Sequence, residues 1–303
     1  IQGYYFDARY TACAPDLSAA VALVTGGTIG GLGYASAEIL AGLGATVVIT
    51  VRSRPKGDAA VRRLKLSAGH ERVSYVIVDF TSCASIDAGA KALESELDRL
   101  DYVVLNAGVA NGAPPDVWMT NHVGPFMLAQ RLTSLLISTA RAHGDVRAVA
   151  VSSGAHRRAA IHHDDPWAPG GAGPFAGPYG QSKLAQIMHM REWQRRLRAT
   201  PGLGGERAVR CLAVTPGMAL TGMTGVPTPL YPLLYLVGRS AHIGAQVVKM
   251  ACIDEGVRGG SYLSNCEAKP SEGAGGCSND PREWARLWAT SERCAAEARA
   301  RYP

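Results

Sequence analysis

Short apolar runs recur along the chain, separated by longer stretches whose apolar positions return every three or four residues. The short runs are Val21–Thr25, Thr46–Val51, Val73–Val78, Tyr102–Leu105, Arg147–Ser152, Val209–Val214 and Ser261–Leu263. Several are apolar without interruption, as strands are when both faces of a parallel sheet are covered. The longer stretches, Tyr34–Leu43, Gly57–Leu66, Ser85–Leu97, Trp118–Ala142, Tyr179–Ala199 and Ala241–Cys252, predict helices, and a last helix is expected from Asp280 to about Arg299. Strands alternating with helices of this length predict right-handed βαβ units, hence an α/β chain with a doubly wound parallel sheet of about seven strands and helices on both faces.

Two segments interrupt the rhythm, the Pro/Gly-rich loops at 166–178 and 267–277. The first 15 residues have no clear period and read as an N-terminal extension, which leaves 16–300 as a single domain. The 303 residues are 47% apolar and 18% charged, ample for a buried core and unlike a disordered chain. The nearest approach to the roughly 20 apolar residues of a membrane span is Val226–Val237, which is short and broken by Pro227, Pro229 and Pro232. The net charge of +6 comes from 25 Arg and 6 Lys in thin, scattered clusters, without the basic stripe and interleaved aromatics of a nucleic-acid groove. Seven cysteines, an odd number with no CxxC pair, argue against a disulfide framework or structural zinc and for a reducing compartment. Because residue 1 is Ile, a targeting segment removed on import into an organelle is compatible with the sequence, and localisation is open.

The candidate chemistry lies at strand ends. After the first strand comes Thr25-Gly-Gly-Thr-Ile-Gly-Gly-Leu-Gly33, then an Ala-rich helix. Glycines here let the backbone turn tightly and let a pyrophosphate reach the helix N-terminus, where free N–H groups and the dipole favour an anion. This makes the sheet Rossmann-type and the loop a dinucleotide site. The second strand ends Val51-Arg52-Ser53-Arg54 with no acid to hold the ribose hydroxyls of NAD. Arg52 can instead pair with a 2′-phosphate, which favours NADP(H) over NAD(H). Tyr179 and Lys183, a Tyr-x-x-x-Lys pair, open the helix after the fifth strand and share one helix face. An ammonium beside a phenol is expected to lower its pKa and so suit it to acid–base work on a carbonyl or hydroxyl. Ser152 and Ser153 end the fifth strand beside the same crevice, Asn106-Ala107-Gly108 end the fourth, and Asn121 lies in the helix that follows.

Together these segments resemble the short-chain dehydrogenases/reductases, and within them the retinol dehydrogenase branch. The resemblance is carried by VTGGTIGGLG (24–33), VR (51–52), DF (79–80), LNAG (105–108), TNHVGPF (120–126), VSSGAH (151–156), YGQSK (179–183) and TPGMALT (215–221). GAQ (244–246), GSYLSNC (260–266) and REWARLWATSE (282–292) extend it toward Cys294. It implies Tyr179 as the proton donor and acceptor, Lys183 as its neighbour and ribose ligand, Ser153 as the hydroxyl that polarises the carbonyl, and Asn121 as holder of a water chain to Lys183. For the cofactor it implies Gly26, Thr28, Gly30, Gly31 and Gly33 at the phosphates, Arg52 at the 2′-phosphate, and Asp79 and Phe80 at the adenine. Asn106 and Gly108 would lie along the nicotinamide, and Pro216, Gly217 and Thr221 around its amide. The reaction implied is hydride transfer between NADP(H) and a carbonyl or alcohol.

One departure stands out. The family loop reads Thr-Gly, three residues, Gly, one residue, Gly, whereas this chain carries one residue more between Thr25 and Gly33. A bulge there would rearrange the N–H groups that hold phosphate. The run His162-His163-Asp164-Asp165 sits in a loop and reads as solvated, with no metal expected. Tyr231, Leu233, Leu234, Tyr235 and Leu236 fall in the segment 222–240, where the resemblance places a substrate lid. An apolar lid suits a lipophilic substrate, or peripheral contact with a membrane or a protein complex, and an oligomer is compatible with it. Two functions are thus in view: an NADP(H)-dependent oxidoreductase, or a related accessory subunit of a larger assembly with little catalysis.

Overall fold

The computed structural model describes residues 10, 14–169, 177–205, 208–217, 240–271 and 274–303. Its strands are β1 (Val21–Val24), β2 (Thr46–Val51), β3 (Val73–Ile77), β4 (Tyr102–Leu105), β5 (Val146–Val151), β6 (Val209–Thr215), β7 (Tyr262–Ser264) and β8 (Glu267–Ala268). They form one sheet in the order β3-β2-β1-β4-β5-β6-β7-β8, parallel up to β7. The eighth strand, absent from the sequence reading, is a two-residue antiparallel return whose turn is made by Asn265 and Cys266, both at φ 55°. It is too short to leave a hydrophobic pattern.

The helices are α1 (Leu32–Gly42), α2 (Arg54–Ala68), α3 (Cys83–Glu96), α4 (Pro114–Trp118), α5 (Gly124–His143), α6 (Pro178–Arg198), α7 (Ala241–Ile253) and α8 (Pro281–Arg301). Several begin at a proline that the periodicity could not rank as a start: Pro114, Pro178 and Pro281 take first-turn positions, where the missing N–H costs nothing. The single helix expected over 118–142 is two, α4 and α5, joined by a π-helical turn over Met119–Val123. Pro125 lies just beyond that turn and lacks the N–H that a regular helix would return to the carbonyl of Asn121.

Successive residues of the central strands feed two separate cores. Leu23, Val103, Leu105, Ala148, Ala150, Cys211 and Ala213 meet α3, α5, α6 and α8 on one face. Ala22, Val24, Val47, Ile49, Val104, Val149, Leu212 and Val214 meet α1, α2 and α7 on the other. Both alternate sets are apolar because both faces are covered, which explains the uninterrupted apolar runs.

At the amino edge of the sheet Asp145, at φ 39°, bridges two guanidinium groups. It accepts from Arg147 at 3.1 and 2.8 Å and from Arg210 at 3.0 and 2.5 Å. Both arginines are buried, and they also donate to the carbonyls of Ala251, Asp254, Glu255 and Val257, closing the end of α7. Burial alone would raise the Asp145 carboxyl, but the two guanidiniums hold it below the usual range.

Between α5, α6 and α8 lie His122 and His189, fully buried beside Phe126, Trp193 and Trp288. Burial pushes His189 down to about 3 and holds His122 well below the ordinary histidine value. Both are therefore neutral in the fold, while in the unfolded chain they take up protons near pH 6.5. Stability is fully present above that pH and declines as the pH falls toward the folded-state values, by up to about 1.4 kcal/mol per pH unit for each histidine. Unfolding midpoints measured from pH 7 to pH 5 should fall accordingly, and His189→Phe should make the decline shallower. An unchanged slope in that variant would contradict the assignment.

Candidate active site

The carboxyl ends of β1, β2, β3, β4, β5 and β6 open into one cleft of about 680 Å³, a volume suited to a cofactor-sized ligand. It spans the position between β1 and β4 where the strand order reverses, the usual ligand crevice of such sheets.

The loop at the end of β1 is fixed from below. Thr25 accepts from the backbone N–H groups of Asn106 and Ala107 at 2.8 and 2.9 Å, and the Asn106 amide donates back to the Thr25 carbonyl at 2.8 Å. Thr50 at the end of β2 takes the Gly26 N–H at 3.2 Å. Gly26 has φ 73°, and a Cβ on Gly33 would lie 2.4 Å from the Asn106 amide and 2.5 Å from the Gly26 carbonyl, so both glycines are required. Gly31 caps α1 without any side-chain hydrogen bond, and no acidic residue sits in the first turn, so the helix N-terminus faces the cleft with its N–H groups free of a side-chain cap. Within the enlarged loop Thr28–Gly31 form a turn, in which Gly31 donates to the Thr28 carbonyl at 3.1 Å. Gly30, at φ 82°, faces open space there, and the Ile29 side chain is exposed.

At one end of the cleft lie Arg52 and Lys56, both exposed, with Asp79 and Phe80. The Asp79 carboxylate accepts from the Thr81 N–H and hydroxyl at 2.9 and 2.7 Å, which fixes the turn after β3. Gly108, Pro216 and Gly217 line the other end, while Thr221 and the lid up to residue 239 lie outside the described residues. Of the residues implied at the phosphates and nicotinamide, Gly26, Thr28, Gly30, Gly31, Asn106, Gly108, Pro216 and Gly217 share one cleft, with Asn106 spending its amide on the loop, whereas Gly33 does not line it and packs against Gly26 and Asn106 within α1.

The reactive end is built on β5 and α6. Ser152 and Ser153 part here. Ser152 turns inward and donates to the Lys183 carbonyl at 2.7 Å, whereas Ser153 lines the cleft together with Tyr179, its hydroxyl accepting from the Ala155 N–H at 3.3 Å. His156 supports Ser153 by placing Nδ1 2.6 Å from its carbonyl. Burial holds the Tyr179 phenol above its ordinary value, with Ser153 pulling the other way. The expected lowering of Tyr179 by Lys183 is thus not what the structure shows. The Lys183 ammonium is itself fully buried, which brings it down to about 7, and its Nζ stands 5.6 Å from the Tyr179 ring centre. It donates to the Val151 carbonyl at 2.9 Å and to the Gln186 side-chain oxygen at 3.2 Å.

Asn121 sits in the π turn rather than in a regular helix. Its side chain clamps Val109, accepting from N–H at 2.7 Å and donating to the carbonyl at 2.8 Å, and donates to Ser182 at 3.0 Å. Its link to Lys183 is made by Gln186, whose amide donates to the Asn121 carbonyl at 2.8 Å. The sequence reading passed over Gln186, although its i, i+3 spacing from Lys183 on α6 would have found it. It also passed over Thr25 and Thr50, which strand-end position alone does not single out.

In the acidic loop His162, Asp164 and Asp165 are exposed as expected, but His163 is not. His163 is buried against α8, with Nδ1 2.9 Å from the Thr290 hydroxyl and Nε2 3.3 Å from the Glu283 carboxylate, and its carbonyl accepts from Arg293. Among the described residues no cluster of three or more metal-ligating side chains forms, and no helix is long and apolar enough to cross a membrane.

Residues 20–228 match the short chain dehydrogenase family. The chain belongs to that family. Within it, the chain is 34% identical over 290 residues to dehydrogenase/reductase SDR family member 13 of Bos taurus, covering 90% of this chain and 72% of that one. It is 30% identical over 261 residues to retinol dehydrogenase 11 of Mus musculus, covering 82% and 78% of the two chains, which places it on the retinol dehydrogenase-like branch. A solved structure from Mycobacterium paratuberculosis superposes with a TM-score of 0.72 at 27% identity, covering 93% of this chain and 95% of that one. Short-chain dehydrogenases transfer hydride with a nicotinamide cofactor, and the cleft fits that group: a Cβ would fill the cradle at Gly33, and the N-terminus of α1 carries no side-chain cap.

Proposed function

We propose that this short-chain dehydrogenase uses NADP(H) to interconvert a carbonyl and an alcohol on a lipophilic small molecule. The observation that carries the reading is the convergence of Ser153, Tyr179 and Lys183, with Nζ 5.6 Å from the Tyr179 ring centre, in a glycine-cradled cleft that Arg52 and Lys56 also line. The bound nicotinamide supplies or accepts the hydride. Ser153 orients the reacting oxygen, and Tyr179 passes it a proton or takes one away. A phenol kept protonated by burial is a proton donor, which suits carbonyl reduction. Lys183 holds the ribose and, when charged, stabilises the phenolate left behind. Asn121, by fixing Val109, shapes the wall opposite.

The lipophilic substrate class is supported by the apolar residues of segment 222–240 and by the name of the mouse relative, a retinol dehydrogenase. The accessory-subunit reading draws on the enlarged loop, the N-terminal segment and the Pro/Gly loops at 166–178 and 267–277; the enlarged loop still lines the cleft at Gly26, Thr28, Gly30 and Gly31, which supports the enzyme. NADP(H) preference is assigned to Arg52 with Lys56 beside it, and no carboxylate ends β2. Arg52→Ala should weaken NADPH binding by about tenfold or more and leave NADH nearly unchanged, since a charge-assisted hydrogen bond contributes about 1.5–3 kcal/mol. Fluorescence titration of both cofactors checks it, and equal loss for the two would remove Arg52 from the 2′-phosphate.

A further inference from the structure

The carbonyl of Asn121 faces Pro125 four residues on, which has no N–H to give it. The Gln186 amide of α6 fills that role, donating at 2.8 Å, and its oxygen accepts from Lys183 Nζ at 3.2 Å. The orientation of the amide is forced, because an ammonium only donates and a carbonyl only accepts. Gln186 is 3% exposed, so neither bond competes with bulk water. Burial is what weakens the charge on Lys183, and its other hydrogen-bond partner, the Val151 carbonyl from β5, is uncharged. The titratable group facing it is Tyr179, one turn earlier on its own helix.

We infer that Gln186 is a positioning residue for Lys183, a side-chain strut that ties its ammonium to the π turn at Asn121. It works through Lys183 and touches neither substrate nor cofactor. With Nζ drawn to Val151 and Gln186, the ammonium is held 5.6 Å from the Tyr179 ring centre, where it would serve a bound ribose. A link made by an amide also passes no proton along the chain of contacts from Lys183 to Asn121.

The inference rests on the roles proposed above for Tyr179 and Lys183, and its test separates the two. The six lysines permit ¹³C-lysine labelling, with the Lys183 resonance assigned by its loss in Lys183→Met. Titrated without cofactor, wild-type Lys183 should show a midpoint near 7. Gln186→Glu places a carboxylate on Nζ and should raise that midpoint by at least about one pH unit, while the isosteric Gln186→Met, which removes an acceptor from the charged form, should lower it. In the cofactor-loaded enzyme, the alkaline limb of the turnover profile should move up in Gln186→Glu by the same amount. A Gln186 that only packs the helix would lower the melting temperature of both variants and leave the Lys183 midpoint and the turnover profile where they were, which would overturn the inference. Should the wild-type protein reduce no carbonyl at all, the reaction assignment fails, while the cofactor-free titration still decides the role of Gln186.

Discussion

Tyr179→Phe should lower turnover by about 10²–10⁴-fold, the range for losing a positioned acid–base group, while leaving NADPH affinity nearly unchanged. The phenol shares the cleft with Ser153, and phenylalanine keeps its ring while removing the hydroxyl. The loss should therefore fall on kcat, since the hydroxyl acts in the transition state and not in cofactor binding. Steady-state kinetics on a carbonyl substrate, paired with cofactor titration, separates the two effects. Retained turnover would take Tyr179 out of the mechanism, and lost cofactor binding would show that the substitution had disturbed the cleft.

Asp145→Asn should destabilise the fold by about 3 kcal/mol, because it strips the counter-charge from two buried guanidiniums. Arg147 and Arg210 are 1% and 4% exposed at their side chains, so neither can recover its solvation by turning outward. Asparagine tolerates the left-handed backbone at this position, which leaves the charge as the variable. The carboxylate is partly open to solvent, which is why the lower end of the range for broken buried pairs applies. Urea unfolding at pH 7 measures the change. A loss below about 0.5 kcal/mol, the ordinary size of a surface substitution, would mean that the carbonyls at the end of α7 suffice to hold the arginines.

The frame of the molecule was readable because burial on both sheet faces writes itself into the sequence as apolar runs such as Thr46–Val51 and Val209–Val214. The site was readable at glycines and at residues with fixed chemistry: Gly26, Gly31, Tyr179 and Lys183 meet in one cleft. Gly33 faces the Gly26 carbonyl from within α1, just beneath that cleft. What escaped the reading lay in contacts between distant segments. His163 looks like part of a polar loop until α8 covers it, and the π turn at Met119–Val123 follows from local hydrogen bonding that apolar spacing does not encode. The direction of the Tyr179 shift was missed for a similar reason. Spacing puts an ammonium one turn from the phenol, but it says nothing of the burial that weakens that ammonium and raises the phenol. The enlarged phosphate loop shows the converse: sequence located the extra residue, and only the backbone shows that Thr28–Gly31 form a turn that still lines the cleft.

The central claim is that this loop still holds a phosphorylated dinucleotide and that the reaction follows from it. Titration of the purified protein with NADPH and with NADH, followed by nicotinamide fluorescence, tests it most directly. The account predicts saturable NADPH binding at micromolar concentration and weaker binding of NADH. Absence of binding for both would contradict it, because the turn at 28–31 would then have closed the cradle that Gly26, Gly30 and Gly31 line.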